Sequence, residues 1–310
     1  MDGIKRARQV ARSLVTRFPR HIGTFFRQVL VGSTADYYTF VGTDPINFRG
    51  ADYAPSRPLW LNTGYWKNAR RYDDACAALA IYLGEVAQLA AGDEVLDVGC
   101  GFGEQDFLWL RTFAPRQIVA LNITALHVEV ARKRAAALGV ADRIDFQLGS
   151  ATNLKFAARS FDKIVALESA FHFRTREKFL AEAFRTLRPG GVLALTDMIP
   201  LPGQGRGGLV ARLERRFGTF EDRNLYDRNA YADKLRAQGF IDISIESIRN
   251  DVYPGMAKFA SASKSGTPAA DIVVELSADD IASCRGHETW SAMGIGDYVM
   301  VRATKPPGPA

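Results

Sequence analysis

The sequence predicts an α/β fold in which helices cover both faces of a doubly wound, seven-stranded sheet. Two observations support this prediction. From residue 72 onward, short apolar runs alternate with helical stretches of about 10 to 16 residues, a pattern typical of βαβ units. The runs "KIVAL" and "VLAL" do not alternate between apolar and polar residues, and they fit strands that are buried on both sides. Right-handed crossovers between such strands predict a parallel sheet.

The elements of this sheet are assigned from periodicity. Helices are predicted where apolar residues recur every three or four positions, and strands where short apolar runs end in glycine or polar residues. Gly139 closes one helix, and "RPGG" at 188–191 stops another. In chain order we predict a helix over 72–90, a strand over 94–100, a helix over 104–113, a strand over 117–123, a helix over 125–140, strands over 143–149 and 161–168, a helix over 176–187, and strands over 191–198, 240–248 and 296–305.

The flanking segments are assigned from composition and length. Residues 1–69 are predicted to be a basic N-terminal arm and a lid segment, with 32–69 forming a loop rich in glycine, proline and aromatic residues. The main domain is predicted over 70–304, followed by a disordered tail, "KPPGPA". Two insertions, at about 201–225 and 251–294, are too long for simple turns. We expect them to form a helical cap over the substrate.

The net charge of +6 belongs to the N-terminal arm. Residues 1–31 carry seven basic residues and one acidic residue, which gives 7 − 1 = +6, so the remainder of the chain sums to zero. A basic amphipathic helix there can lie on an anionic membrane surface, dock on its own domain, bind a partner or serve as a presequence. Because the main domain carries no net positive charge, we do not expect nucleic acid as a partner.

Three widely spaced cysteines without a C-x-x-C pair indicate a reducing compartment and no cysteine zinc site. No apolar run approaches the roughly 20 residues of a membrane span, and arginines interrupt any apolar segment of a secretory signal. We therefore expect a cytoplasmic protein, with contact to a membrane surface through residues 1–31 left open. The sequence leaves the oligomeric state open as well.

A glycine-rich turn lies between the first strand and its helix. The stretch "LDVGCGFGEQD" places Gly99, Gly101 and Gly103 where the backbone can approach a ligand and the helix offers free N–H groups. The spacing G-x-G-x-G differs from the dinucleotide fingerprint G-x-G-x-x-G. Taken alone, the turn fits a ligand site or a tight turn without any ligand.

Five motifs together resemble class I S-adenosylmethionine-dependent methyltransferases, over about residues 60–200. They are "VLDVGCGFG", "LNIT", "GSATNLKF", "SFDKIVALES" and "LRPGGVLALTD". The chain is most similar to bacterial small-molecule enzymes that methylate oxygen atoms of natural-product sugars. The resemblance implies a Rossmann-like fold, S-adenosyl-L-methionine as cofactor, and a hydrophobic small molecule as methyl acceptor. Carbon or nitrogen methylation, and modification of a lipid or polyprenyl substrate at a membrane, stay open as alternatives.

The resemblance also implies cofactor contacts. Asp97 would bind the methionyl ammonium, and the three glycines would make room for the methionine. Asn122 would hold the ribose hydroxyls, because an amide both donates and accepts hydrogen bonds. Ser150 would accept from the adenine amino group. Further contacts are implied for Ile123, Ala151 and Leu167, and for a lid that carries Tyr65 and Trp66.

An alcohol or phenol acceptor must lose its proton during methyl transfer, so a base is needed. His172 follows the fourth strand and Asp197 ends the fifth, and an imidazole oriented by a carboxylate is a common base near neutral pH. We predict this pair as the base, with Glu168 either holding the loop or lining the acceptor site. The alternative is that His172 is a core histidine between two phenylalanines. The sequence contains no metal-ligand cluster, which disfavours a magnesium-dependent mechanism.

Overall fold

The computed structural model of the chain describes residues 34–43, 57–203, 220–283 and 295–308. Its centre is a sheet of seven strands, as predicted. The strands are β1 Glu94–Val98, β2 Gln117–Asn122, β3 Ile144–Leu148, β4 Phe161–Ala166, β5 Leu187–Ile199, β6 Ile241–Ser247 and β7 Asp297–Thr304. Their order across the sheet is β3-β2-β1-β4-β5-β7-β6, so the chain winds outward in both directions from β1.

The sheet is mixed and not entirely parallel. Strands β1 to β5 pair in parallel, whereas β7 is antiparallel to both of its neighbours, β5 and β6. The prediction of a parallel sheet is therefore wrong at β7. An antiparallel strand needs no crossover connection, so β7 can enter the sheet beside β6 from the same end of the molecule.

Helices cover both faces of the sheet. They are α1 Thr34–Thr43, α2 Tyr72–Val86, α3 Glu104–Thr112, α4 Ala125–Ala137, α5 Arg176–Thr186, α6 Arg228–Ala237, α7 Arg249–Lys264 and α8 Ala278–Ser283, with short 3₁₀ helices at Ala170–His172, Asp222–Asn224 and Ala269–Asp271. Apolar residues of α2, α3, α4 and α7 form the core on one face of the sheet, and those of α5 and α6 form the core on the other. Burial of these two apolar layers is the main stabilisation of the fold.

Two local predictions are corrected by the structure. Residues 34–43, predicted as part of a loop, form α1, which packs against α4. Threonine and aromatic residues give this stretch little intrinsic helix propensity, so tertiary contacts decide its conformation. Residues 188–190, predicted to lie outside any strand, belong to β5, together with residue 191. They bulge opposite the single residue Asp162, and Gly190 supplies a φ of +79°.

The predicted cap between β6 and β7 is helical where it is described, through α7 and α8. Its residues 284–294, most of the other insertion, the basic arm 1–31 and the last two residues of the tail lie outside the described residues. Among the described segments, the helices are all too short or too polar to cross a membrane.

A buried ion pair joins α5 to β5. The Nε of Arg176 lies 2.7 Å from Oδ2 of Asp197, and neither side chain is exposed to solvent. Tyr231 donates its hydroxyl proton to the same carboxylate at 3.1 Å. Arg176 also donates to the backbone oxygen of Asn224 at 2.9 Å, and its guanidinium lies over the ring of Tyr226. Each charge is therefore compensated inside the protein, and removal of either one would leave the other unpaired.

We expect Arg176→Met to lower the free energy of unfolding by about 3–5 kcal/mol, because Asp197 would remain as a buried, unpaired carboxylate. Urea unfolding followed by circular dichroism measures this loss. The double variant Arg176→Met/Asp197→Leu should recover part of it. Arg236→Met, which breaks an exposed pair with Asp233, should cost less than about 1 kcal/mol. Equal losses for Arg176→Met and Arg236→Met would contradict the prediction.

Candidate active site

A cavity of about 300 Å³ lies at the carboxyl ends of β1, β2 and β4. This is the edge where open α/β sheets bind their ligands, and the volume is at the lower end of the range for small-molecule sites, roughly 300–1,000 Å³. Its wall combines residues from six segments of the chain: Thr34 and Tyr38; Leu59, Leu61 and Asn62; Gly99, Cys100, Gly101 and Gln105; Asn122, Ile123 and His127; Ser150 and Ala151; and Leu167, Glu168, His172, Phe173 and Arg174.

The glycine-rich turn brings its backbone to the cavity wall. Gly99 has a φ of +97°, and a Cβ there would lie 2.4 Å from the Cβ of Ser169. Gly101 has a φ of +56°, and a Cβ there would lie 3.1 Å from Leu61 Cδ1 across the cavity. Side chains at these positions would fill the space beside the turn. Gly103 does not line the cavity, since a Cβ there would strike an aromatic ring of β3. Its role beside the cofactor stays a prediction.

Asp97 lies beneath the turn and not on the cavity wall. Its side chain is fully buried, and its Oδ2 accepts a hydrogen bond from Nε2 of Gln105 at 2.9 Å. Gln105 does line the cavity, so its amide separates Asp97 from any ligand there. A contact between Asp97 and the methionyl ammonium, implied by the resemblance as direct or through water, stays a prediction.

A second buried carboxyl group, Asp106 in the first turn of α3, is hydrogen-bonded to Asp97. Burial raises the pKa of Asp97 to about 7. Burial, followed by the nearby charge of Asp97, raises the pKa of Asp106 well above its usual range. Among the described residues, no cation forms an ion pair with either group. Two adjacent buried carboxyl groups are not both ionised at neutral pH, so the pair retains a proton.

Asn122 is held by neighbours on three sides. Its Nδ2 donates to the backbone oxygen of Gly101 at 3.2 Å and lies 3.4 Å from Nδ1 of His127, and its Oδ1 accepts from the backbone N–H of Thr124. The ring of His127 reaches the backbone oxygen of Tyr38 through Nε2 at 3.2 Å. A carbonyl oxygen only accepts, so Nε2 carries the proton and Nδ1 accepts from Asn122. Burial lowers the pKa of His127 to about 4, which keeps the ring neutral.

The amide oxygen of Asn122 thus has one lone pair left, which can accept a hydrogen bond from a ribose hydroxyl. Ile123, Ser150, Ala151 and Leu167 also line the cavity, and their contacts with a cofactor stay predictions. The hydroxyl of Ser150 lies 3.2 Å from that of Thr152.

Glu168 fastens the segment before α2 to the body of the protein. Its Oε1 accepts from the backbone N–H of Thr63 at 2.8 Å and from the hydroxyls of Thr63 and Tyr298, each at 2.5 Å. Burial raises its pKa, while these three donors oppose that shift. Glu168 also lines the cavity, and its bonds hold the segment at Thr63 and not the loop that carries His172. Its role beside the acceptor stays a prediction.

His172 lies at the end of the 3₁₀ helix that follows β4 and lines the cavity. Its Nε2 is 2.8 Å from the hydroxyl oxygen of Tyr38 in α1. The ring also packs against Phe171 and Phe220, with centroid distances of 4.1 and 5.6 Å. The imidazole is therefore partly desolvated by aromatic rings and bonded to a hydroxyl group.

The predicted contact of His172 with Asp197 is not formed. In the described structure, the Asp197 carboxylate bonds to Arg176, Tyr231 and the backbone N–H of Met198, and it does not line the cavity. The two strand ends are neighbours as expected, but the side chain of Asp197 belongs to the face of the sheet covered by α5 and α6. Strand adjacency alone could not reveal that orientation.

The lid residues Tyr65 and Trp66 do not line the cavity either. Trp66 is buried between Gly255 and Phe259 of α7, and Tyr65 packs against Tyr82 of α2. Their contact with the cofactor stays a prediction. The preceding residues of the same segment, Leu59 to Asn62, supply the lid side of the cavity instead.

Sequence reasoning missed several residues on the cavity wall, among them Tyr38, Gln105 and His127. Gln105 had a visible signal, since it is a polar residue directly after the glycine-rich turn. His127 had a weaker one, because it follows the end of β2 by one helical turn. Tyr38 had none, since its contact with His172 spans 134 positions of the sequence.

The buried carboxyl pair should make stability depend on pH. A raised pKa means that the folded state holds its proton more tightly than the unfolded state, so stability is lost as pH rises above the ordinary range of aspartate. We expect Asp106→Asn to raise the melting temperature, with a gain that grows by several degrees between about pH 5 and about pH 8. Thermal scans at both pH values, with exposed Asp142→Asn as the control, test this. A gain independent of pH would argue against it.

Comparison with known proteins agrees with the geometry of the cavity. Residues 96–195 match a family model described as a methyltransferase domain. The chain is 42% identical over 206 residues to erythromycin 3''-O-methyltransferase of Saccharopolyspora erythraea, which covers 64% of this chain and 67% of that protein. It is 37% identical over 161 residues to 27-O-demethylrifamycin SV methyltransferase of Amycolatopsis mediterranei, which covers 51% of this chain and 58% of that protein. The matches thus span between about half and two thirds of these relatives.

Among solved structures, the [4+2]-cyclase SpnF is similar with a TM-score of 0.67 at 24% identity, over 88% of this chain and 95% of that chain. At this identity the likeness shows the fold alone, and a cyclase on the same fold illustrates that chemistry resides in the side chains of the site. The two methyltransferase relatives, the matched domain and the cavity at the glycine-rich turn agree with one another. The chain belongs to the class I S-adenosylmethionine-dependent methyltransferases.

Proposed function

We propose that the protein transfers the methyl group of S-adenosylmethionine to a hydroxyl group of a hydrophobic natural product, with His172 as general base. One observation carries this proposal: in the cavity, Nε2 of His172 lies 2.8 Å from a hydroxyl oxygen, that of Tyr38. An imidazole at hydrogen-bond distance from a hydroxyl has the geometry that proton removal from an acceptor requires.

The cavity fits the cofactor in its shape and in its polar groups. The turn at Gly99 and Gly101 leaves a cradle that a Cβ would fill. Asn122 and Ser150 offer neutral polar atoms for a nucleoside, whereas the buried carboxyl pair lies behind the opposite end. Once bound, S-adenosylmethionine supplies a methyl group that is carried by a positively charged sulfonium. When an acceptor oxygen attacks this methyl group, the sulfur leaves as a neutral thioether.

His172 would act as the acceptor approaches. The acceptor hydroxyl replaces Tyr38 as the hydrogen-bond partner of Nε2, and its proton passes to that nitrogen while its oxygen forms the new bond to carbon. A neutral imidazole holds the required lone pair when the other ring nitrogen carries the proton. Contact with Phe171 and Phe220 keeps water from the ring, which strengthens its interaction with the acceptor.

Asp197 would support the base indirectly. It holds Arg176, which donates to the backbone oxygen of Asn224. The amide nitrogen of Asn224 in turn lies 2.9–3.3 Å from the backbone oxygens of residues 170, 171 and 173. This chain of contacts fixes the turn that carries His172. We therefore assign Asp197 as a positioning residue and not as a partner of the imidazole.

A closed lid would exclude water during transfer. Glu168 fastens Thr63, and Glu104 fastens Leu59 through its backbone N–H at 2.8 Å. Arg134 bonds to Glu104 and to the backbone oxygen of Arg57, so the start of the same segment is held from α4. Exclusion of water favours the acceptor oxygen over water as the nucleophile.

We expect His172→Asn to lower kcat by about 10²- to 10⁴-fold, because the acceptor loses its base, while S-adenosylhomocysteine binds within about threefold of wild type. The assay uses methyl-labelled S-adenosylmethionine with a metabolite extract of the source organism, and calorimetry measures binding. Glu129→Gln, a substitution at an exposed position, is the control variant and should keep the turnover of wild type. If His172→Asn retains full turnover, the imidazole is structural or the acceptor is a carbon or nitrogen atom that needs no base.

We further propose a cytoplasmic enzyme whose basic arm, residues 1–31, contacts an anionic membrane surface. The support is the charge distribution, since this arm holds the whole net charge of the chain. The full chain should sediment with vesicles of phosphatidylcholine and phosphatidylserine, and less so as salt is raised. Replacing Arg12, Arg17 and Arg20 by Gln should abolish this binding, whereas replacing the exposed Arg70, Arg111 and Arg236 by Gln should not. Equal binding by both triple variants would exclude the arm as the contact.

A further inference from the structure

Glu168 places a carboxylate on the cavity wall with one of its two oxygens free of protein donors. Oε1 accepts hydrogen bonds from the backbone N–H and the hydroxyl of Thr63 and from the hydroxyl of Tyr298. Among the described residues, none donates to Oε2, and no lysine or arginine pairs with the carboxylate. Oε2 is not enclosed by protein either, so it is open to the cavity that Glu168 lines. The protein therefore satisfies one oxygen of this carboxylate and leaves the other for a ligand.

The backbone holds Glu168 in an uncommon conformation. Its φ of +47° lies in the left-handed region, which residues with a side chain seldom adopt. The backbone N–H of Glu168 donates to the hydroxyl of Thr196 in β5 at 2.9 Å, while the donors to Oε1 come from the segment before α2 and from β7. Strain of this kind persists only where surrounding contacts impose it, as they do at many ligand sites. Three separate segments thus fix the carboxylate at the end of β4.

Glu168 lies between the two ends of the cavity. The glycine-rich turn at the cofactor end touches the end of β4, since a Cβ on Gly99 would lie 2.4 Å from the Cβ of Ser169. His172, the proposed base, follows on the same wall, four residues after Glu168. A methyl group that passes from the cofactor to an acceptor at His172 must cross this part of the wall. We therefore expect the sulfonium that carries this methyl group to lie beside Glu168.

The cavity offers such a sulfonium one negative charge. Of all aspartate, glutamate, lysine and arginine side chains, only Glu168 and Arg174 lie on the wall that the structure describes, and Arg174 is exposed. Burial raises the pKa of Glu168, but the three donors to Oε1 oppose this shift and favour the ionised form. A sulfonium has no N–H or O–H to donate. A carboxylate oxygen can nevertheless attract it through charge, and this attraction is strong where water is excluded.

We propose that Oε2 of Glu168 is the counter-charge of the cofactor's sulfonium, so that the cavity favours the charged methyl donor over the neutral thioether product. Glu168 makes and breaks no bond. The acceptor oxygen bonds to the methyl carbon, the acceptor proton passes to His172, and the electron pair of the broken carbon–sulfur bond stays on sulfur. The positive charge on sulfur is then gone, and loss of its attraction to Oε2 favours release of the product. The inference rests on the proposed function for the cofactor and for the end of the cavity at which the acceptor binds.

Calorimetry with three ligands tests this assignment: S-adenosylmethionine, S-adenosylhomocysteine, and sinefungin, in which a carbon that bears a charged amino group replaces the methylated sulfur. Glu168→Gln keeps the size of the side chain and an oxygen that can accept from Thr63 and Tyr298, but it removes the charge. It should weaken binding of S-adenosylmethionine and sinefungin by at least about tenfold and change that of S-adenosylhomocysteine by less than about threefold.

The matched control is Glu104→Gln. Glu104 holds Leu59 of the same segment before α2, but its side chain does not line the cavity. This substitution should change the affinities for all three ligands by a similar factor. If Glu168→Gln also weakens all three ligands equally, the carboxylate acts on a group that they share and the proposal is wrong. If Glu168→Gln weakens none of them, the proposal is equally wrong.

Wild type tests the proposal without any substitution. Binding of S-adenosylhomocysteine more than about tenfold more tightly than S-adenosylmethionine would overturn the role of Glu168. Failure to bind any of the three ligands would instead overturn the proposed cofactor. Loss of turnover in His172→Asn has no bearing on these affinities, so the two proposals fail separately.

Discussion

The position of His172, the base that we propose, depends on the buried ion pair of Arg176 and Asp197. Together they hold Asn224, whose side-chain amide lies against three backbone oxygens of the turn at 170–173. A buried pair of this kind gains little stability over an apolar pair of the same volume, because desolvation offsets the attraction. The pair matters here for its geometry. The guanidinium of Arg176 donates hydrogen bonds in fixed directions, which an apolar side chain cannot do. The ion pair therefore fixes the position of the His172 imidazole, although neither of its residues lines the cavity.

Tyr38 connects the two ends of the cavity. Its backbone oxygen accepts from His127, which in turn fixes Asn122 at the nucleoside end, and its hydroxyl meets His172 at the acceptor end. The ring packs edge-on against both imidazoles, with centroid distances of 6.0 and 5.4 Å. Because one residue contacts both ends, a movement of α1 would change both together. Entry of an acceptor, which must displace the Tyr38 hydroxyl, is thereby coupled to the packing around the cofactor.

The fold could be predicted from the sequence because its signals are local. Apolar periodicity marks each strand and helix, and the glycine-rich turn marks the edge of the sheet at which a ligand binds. The site could be predicted only in outline, because periodicity does not say which way a side chain points at the end of a strand. Asp197 was predicted to orient His172 and Trp66 to form a lid over the cofactor, yet the side chain of Asp197 pairs with Arg176 of α5 and that of Trp66 packs against α7. Tyr38 escaped prediction altogether, since loop closure over 134 positions leaves no trace in local sequence.

The cavity divides its chemistry between two ends, and this division explains how one fold can host different reactions. At the cofactor end, polar side-chain atoms form hydrogen bonds with the backbone and with one another. The hydrogen-bond acceptors left there for a ligand include the Gln105 amide oxygen and one lone pair of Asn122. At the acceptor end, aromatic rings surround a single imidazole. A protein that kept the first end and changed the second would still bind the cofactor, but its chemistry would differ. The identity of the reaction therefore depends on the few side chains around His172, which the Arg176–Asp197 pair holds in place.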